Sequence, residues 1–188
     1  MRNELRSPRP FTFEGFAEFN AAYVETLKRW GLLIDGVNPI ARTNVAPVFH
    51  PPAAPCLHGF SYTVPAVDAP RTFVVAGAGE LHEGSLDPDD VVRAGETSAE
   101  AMREKAAFVL GIMNARLRGL GAAWMDVMAV NVYTVHDVHT LLGDLILPKL
   151  GAAAERGVTW HYTRPPVETI EFEMDLRGCR TSILLSGM

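Results

Sequence analysis

The chain has 188 residues, 48% of them hydrophobic and 21% charged, a balance that excludes disordered and fibrous proteins and fits one domain, or one domain with an extension. A net charge of −5 without any Lys/Arg cluster argues against nucleic acid as the main partner, since a polyanion needs a concentrated basic face. Cys56 and Cys179 lie far apart with no CxxC spacing, and Met1–Arg6 has no apolar h-region. Nor does any apolar run approach the ~20 residues of a membrane span, so the expectation is a cytoplasmic protein with free thiols that acts on small molecules or proteins.

In chain order, the first predicted element is a helix over 12–33, with Phe16, Phe19, Tyr23, Leu27 and Trp30 forming one aromatic stripe that something must cover. Between Gly36 and His58 five prolines deny both helix and central strand, which predicts an extended arm. Strands are expected at 60–64 and 71–77, followed by a loop and a long helix over 97–120. Thr97-Ser-Ala-Glu100 opens that helix with capping-box spacing. A Val- and Tyr-rich strand over 126–134 follows, and then a helix from Asp137 that Pro148 should end or bend. Three strands close the chain, at 158–164, 168–176 and 180–186. In the second, Ile170, Phe172, Met174 and Leu176 alternate with Thr169, Glu171, Glu173 and Asp175, the pattern of one dry and one wet face.

Strands and helices do not alternate strictly, so the predicted class is α+β: an antiparallel or mixed sheet with two helices packed on one face. The other face is then solvated or covered by another subunit. The division expected is residues 1–55 as a helical and Pro-rich arm, and residues 56–188 as the α+β domain.

Four stretches add a resemblance. Gly59-Phe-Ser-Tyr62, Thr72-Phe-Val-Val-Ala-Gly77, the run from Gly121 to Asp137, and Thr163-Arg-Pro-Pro-Val167 are together similar to the joints of the Rid (YjgF-type, reactive intermediate deaminase) family. No counterpart is found for the first 55 residues. The resemblance implies a YjgF/chorismate-mutase-like fold and a homotrimer whose inter-subunit clefts bind a small carboxylate. It also implies hydrolysis of an enamine or imine, such as a 2-aminoacrylate or an aminomuconate, to a keto acid and ammonia. No cofactor enters that chemistry. Arg164 falls on the family arginine that grips the substrate carboxylate, a task suited to a guanidinium fork. Phe60 and Ser61 match the opening motif, with Phe60 standing where the family has Tyr, and Gly77 matches a pocket-edge glycine. Trp160 and Tyr162 share a strand face with Arg164, which predicts an aromatic-walled anionic pocket.

Two departures matter. Pro166 stands where the family often has a cysteine, and the expected last strand, 180–186, holds no carboxylate to activate water. Glu171 and Glu173 are assigned to the wet face. His136 and His139 have spacing suited to a shared metal but no evident third ligand, and Asp137 between them reads as a helix cap. His161 reads as structural or interfacial. Two alternatives to a deaminase follow: a non-catalytic trimer that binds a small acid, and an isomerase or lyase of an aromatic-catabolism intermediate using the same cleft.

Overall fold

Two hydroxyl caps start the long helices. In the computed structural model, which describes residues 1–183, the Thr12 side chain accepts the Gly15 N–H and opens α1 (Phe13–Arg29). Ser98, one residue beyond the expected Thr97, accepts the Ala101 N–H and opens α2 (Ala99–Gly119). The helix expected from Asp137 is broken into α3 (His139–Leu141), a π turn (Leu142–Ile146) and α4 (Leu147–Leu150). Pro148 has no N–H to offer residue 144, and the wider turn falls where that bond is missing.

The described residues form seven strands: β1 (Arg2–Arg6), β2 (Ala41–Pro47), β3 (Cys56–Ser61), β4 (Phe73–Gly79), β5 (Ala129–Thr134), β6 (Thr159–Arg164) and β7 (Glu173–Gly178). Their order in one mixed sheet is β3-β1-β2-β6-β5-β7-β4. The parallel β5–β6 pair is joined through α3 and α4, and β7 runs antiparallel to both β5 and β4. The predicted α+β class holds.

Three expectations at the ends of the chain are corrected. Residues 36–58 are not a strandless arm, because β2 lies in the middle of the sheet, between β1 and β6. Pro47 is its last residue, so it removes no donor from the strand's interior. The segment 2–6, unassigned in the sequence reading, is a strand parallel to β2 and antiparallel to β3. At the other end β7 begins only at Glu173, and Arg180–Ile183 are not in a strand; the remainder of the expected 180–186 strand lies outside the described residues.

The core forms where α2 lays Ala106, Val109, Met113 and Leu117 on Val75, Val130, Val132, Met174 and Leu176. That face is dry, as the alternation of 170–176 predicts. Over β4 and β7 the opposite face is covered by the chain itself. The sheet curls so that β2 passes over β4 and β7: Thr43 donates from Oγ1 to Asp175 and its methyl approaches Gly77. Arg2, fully buried, ion-pairs with Asp175. Outside β2, α1 closes its aromatic stripe on Arg42, whose guanidinium carbon lies 4.8–5.7 Å from the ring centres of Phe16, Phe19 and Tyr23. Phe13 and Phe16 continue onto Val91, Val167 and Ile170. Trp30 alone of the predicted stripe stays largely exposed.

Candidate active site

Strand alternation decides what β6 offers. Trp160, Tyr162 and Arg164 point outward, whereas His161 and Thr163 point inward. His161 stacks on Tyr133 at 4.7 Å and its Nε2 meets Asn131 Oδ1 at 3.0 Å, the structural role expected of it. On the outer face Trp160 donates from its indole N–H to the Thr134 carbonyl and meets His139 edge-on. Tyr162 stacks on Phe49 at 5.8 Å. The Arg164 side chain, 49% exposed, ends this aromatic row. The predicted wall and its cation therefore stand together on one accessible face.

Arg164 also has a carboxylate beside it that was assigned elsewhere. Its guanidinium is 3.5 Å from Glu171 Oε2, and the same oxygen lies 2.8 Å from His136 Nε2. Glu171 is held rigidly. Thr134 Oγ1 donates to the Glu171 carbonyl at 2.6 Å and accepts the His136 N–H, which ties the end of β5 to this residue. The Glu80 carboxylate accepts the N–H groups of both Glu171 and Phe172, and Lys105 donates to Glu80 at 3.1 Å and to the Val92 carbonyl. Glu80 and Lys105 are wholly buried. Burial pushes the Glu80 carboxyl up, against the pull of the amides and of Lys105. A cavity of about 300 Å³ lies along β4 against Arg116, and a second, of about 250 Å³, is lined by Thr97, Ala99, Met102, His136, Asp137, Thr140 and Leu141. The second adjoins the Arg164–Glu171–His136 chain.

Glu173 occupies a different setting. It is buried beneath β2, not on a wet face, and desolvation followed by the charges of Asp175 and Glu80 pushes its carboxyl up to about 8. Arg42 and Arg116 oppose that shift. Gly77 is glycine because a β-carbon there would overlap Glu173 Oε1 and come within 3.1 Å of the Thr43 methyl. Within this chain the space beside Gly77 is taken by Glu173. β7, the last described strand, carries the carboxylates that seemed missing from the end of the chain. Asp175 is fully satisfied, accepting from Arg2, Thr43, Asn131 and Tyr133. Burial, and next the Asp175 charge, push the Tyr133 hydroxyl's pKa up.

Phe60 and Ser61 are not brought to Arg164 within one chain. They sit on β3, three places from β6 and so about 14 Å across the sheet, with Phe60 exposed and stacked on Tyr62. Asp137 accepts the His139 N–H at 2.8 Å and its carboxylate also meets the His139 ring, but it is not the helix cap expected: Val138 stands at that position, with no side-chain cap bond. Sequence reasoning missed Glu171 and His136 as a pair. The only signal was His136 directly before the expected cap at Asp137, and nothing in the spacing linked it to a residue 35 positions away.

Residues 2–183 match the family described as 2-aminomuconate deaminase CnbZ. The chain belongs to that family. The match includes the first 55 residues, for which the sequence reading found no counterpart. The chain is 47% identical over 178 residues to the 2-amino-5-chloromuconate deaminase of Comamonas testosteroni, covering 93% of this chain and 70% of that protein. The deaminase description of the family agrees with the Rid-type resemblance carried by the four motifs. Among solved structures, a Thermotoga maritima protein described only provisionally as an endoribonuclease aligns with a TM-score of 0.44 at 20% identity, over 73% of this chain and 93% of its own. A Klebsiella pneumoniae protein with the same provisional description aligns at 0.34 and 14% identity, over 56% and 90%. No helix among the described residues is long and apolar enough to cross a membrane.

Proposed function

We propose that this protein hydrolyses the C–N bond of an aminomuconate-like enamine or imine, giving a keto acid and ammonia. One observation carries the reading: Arg164 ends an exposed aromatic row and has the Glu171 carboxylate beside it. Substrate carboxylate takes the guanidinium fork, and Trp160 and Tyr162 flank the unsaturated chain. Glu171, displaced from Arg164, then directs water at the imine carbon. The aminomuconate deamination for which the family and the Comamonas relative are named supports the substrate class.

Phe60 and Ser61 complete the cleft from a second copy of the chain. The reading therefore includes a homotrimer in a cytoplasmic setting, with no metal and no cofactor. The site residues are Arg164 and Glu171 for chemistry, and Phe60, Ser61, Trp160 and Tyr162 for binding, while Gly77 packs behind them.

Ammonia release from enzymatically generated 2-aminomuconate, measured with wild type, Arg164→Ala and Glu171→Gln, tests it. The expected results are a KM raised at least tenfold for Arg164→Ala and a kcat lowered about 10²-fold or more for Glu171→Gln. No ammonia from wild type overturns the reading. If Glu171→Gln keeps the wild-type kcat while Glu173→Gln loses it, water activation belongs to β7 and the Glu171 assignment fails.

A further inference from the structure

His136 has no role in what has been described so far, yet it is the residue that joins the two halves of the site region. Its Nε2 is 2.8 Å from Glu171 Oε2, and its ring forms part of the wall of the 250 Å³ cavity beside α2. The short segment that carries the ring is fixed at both ends: the His136 N–H donates to Thr134 Oγ1, and the Asp137 carboxylate accepts the His139 N–H. The imidazole is only partly covered, with 25% of the side chain exposed, so it touches Glu171 on one side and reaches solvent-accessible space on the other. The groups around it are few. Glu171 and Arg164 lie on the β6–β7 side, Asp137 on its own segment, and the neutral Thr97 and Thr140 across the cavity.

We propose that His136 is the proton-relay partner of Glu171, carrying the proton of the attacking water between Glu171 and the cavity. The inference rests on the assignment of Glu171 as the water-directing base. The steps balance without any oxidant or reductant. Water forms the C–O bond to the imine carbon as one of its protons passes to Glu171 and on to His136, while the C=N electron pair moves to nitrogen. The nitrogen takes up a proton to become an amine, and a second to become an ammonium leaving group. The C–N bond then breaks as the new hydroxyl gives up its proton to Glu171, which balances the second proton the nitrogen drew from solvent, and becomes the carbonyl, so that ammonia and the keto acid leave. His136 holds one of these protons between the addition and the departure, and an imidazole is suited to this because one ring nitrogen can take up a proton while the other gives one up.

The relay is distinct from mere support. A residue that only props Glu171 is replaceable by any side chain that hydrogen-bonds it, whereas a relay needs a group that accepts and gives up a proton. His136→Gln keeps a hydrogen-bond donor for Glu171, and His136→Ala leaves room for free imidazole next to the cavity. Steady-state ammonia release is measured with both variants, with and without added imidazole, alongside urea midpoints to establish that each is folded.

The expected result is a kcat about 10²-fold lower in both variants with KM within threefold of wild type, and at least a tenfold imidazole-dependent recovery in His136→Ala alone. An unchanged kcat in His136→Gln overturns the proposal and leaves His136 a prop. So does a loss in a folded His136→Ala that imidazole does not restore. If His136→Ala fails to fold, the glutamine variant alone decides, its kcat loss supporting the relay and its wild-type rate refuting it. Failure of the deaminase reading shows differently: wild type then releases no ammonia at all.

Discussion

Glu173 makes stability depend on pH in a direction opposite to most carboxylates. In the folded chain it is buried beneath β2, and desolvation, Asp175 and Glu80 raise its carboxyl to about 8. In the unfolded chain it titrates in the ordinary carboxylate range. Below that range both states hold the proton, and the favourable contribution is fully present. As pH rises, the unfolded chain releases its proton first, and stability is lost progressively until the folded carboxyl also ionises near 8. The full displacement corresponds to about 5 kcal/mol. Glu173→Gln keeps the shape and cannot ionise, so it removes this loss. Urea unfolding of wild type and variant at pH 5, 7 and 9 provides the measurement. The two proteins should have similar midpoints at pH 5, and the variant's midpoint should lie about 2 M higher at pH 9, given a slope of about 2 kcal/mol/M. Parallel pH profiles for the two proteins would refute the claim that Glu173 is held protonated by burial.

Two further outcomes test the framework around the site. Gly77→Ala should cost about 1–3 kcal/mol through overlap with Glu173, and pairing it with Glu173→Ala should recover most of that, whereas additive losses in thermal unfolding would place the crowding elsewhere. Lys105→Met should cost about 3–5 kcal/mol by leaving Glu80 charged and unpaired, and Lys105→Met with Glu80→Gln should recover part of it. A cost for Lys105→Met below about 1 kcal/mol in chemical denaturation would mean that this buried pair does not hold the Glu171–Phe172 backbone.

Local pattern carried much of the architecture. The 3.6-residue stripe marked α1 and the capping-box spacing opened α2, to within a few residues at most ends, because a helix's hydrogen bonds and its buried face both lie close together in sequence. The alternation of Ile170, Phe172, Met174 and Leu176 marked the dry face of β7 for the same reason. β1, Arg-Asn-Glu-Leu-Arg, escaped notice because it is polar on both faces. It is held by pairing with β2 and β3, and its buried Arg2 finds Asp175, 173 positions later. β2 escaped because a proline-rich neighbourhood hides a strand whose single internal proline falls at its end.

For the site, the sequence by itself determined that Trp160, Tyr162 and Arg164 share one face of β6, since side-chain alternation along a strand is a local property. Only the tertiary structure decided which carboxylate meets that arginine and which is buried. Glu171 and Glu173 are two residues apart and identical in chemistry, and no local pattern separates them. The Glu80–Lys105 clamp and the end of β5 set Glu171 beside Arg164 and His136, and the passage of β2 over β7 seals Glu173 from water. Each of those environments is made by segments more than 30 residues distant, and burial by such segments is what divides an accessible ion-paired carboxylate from a protonated one.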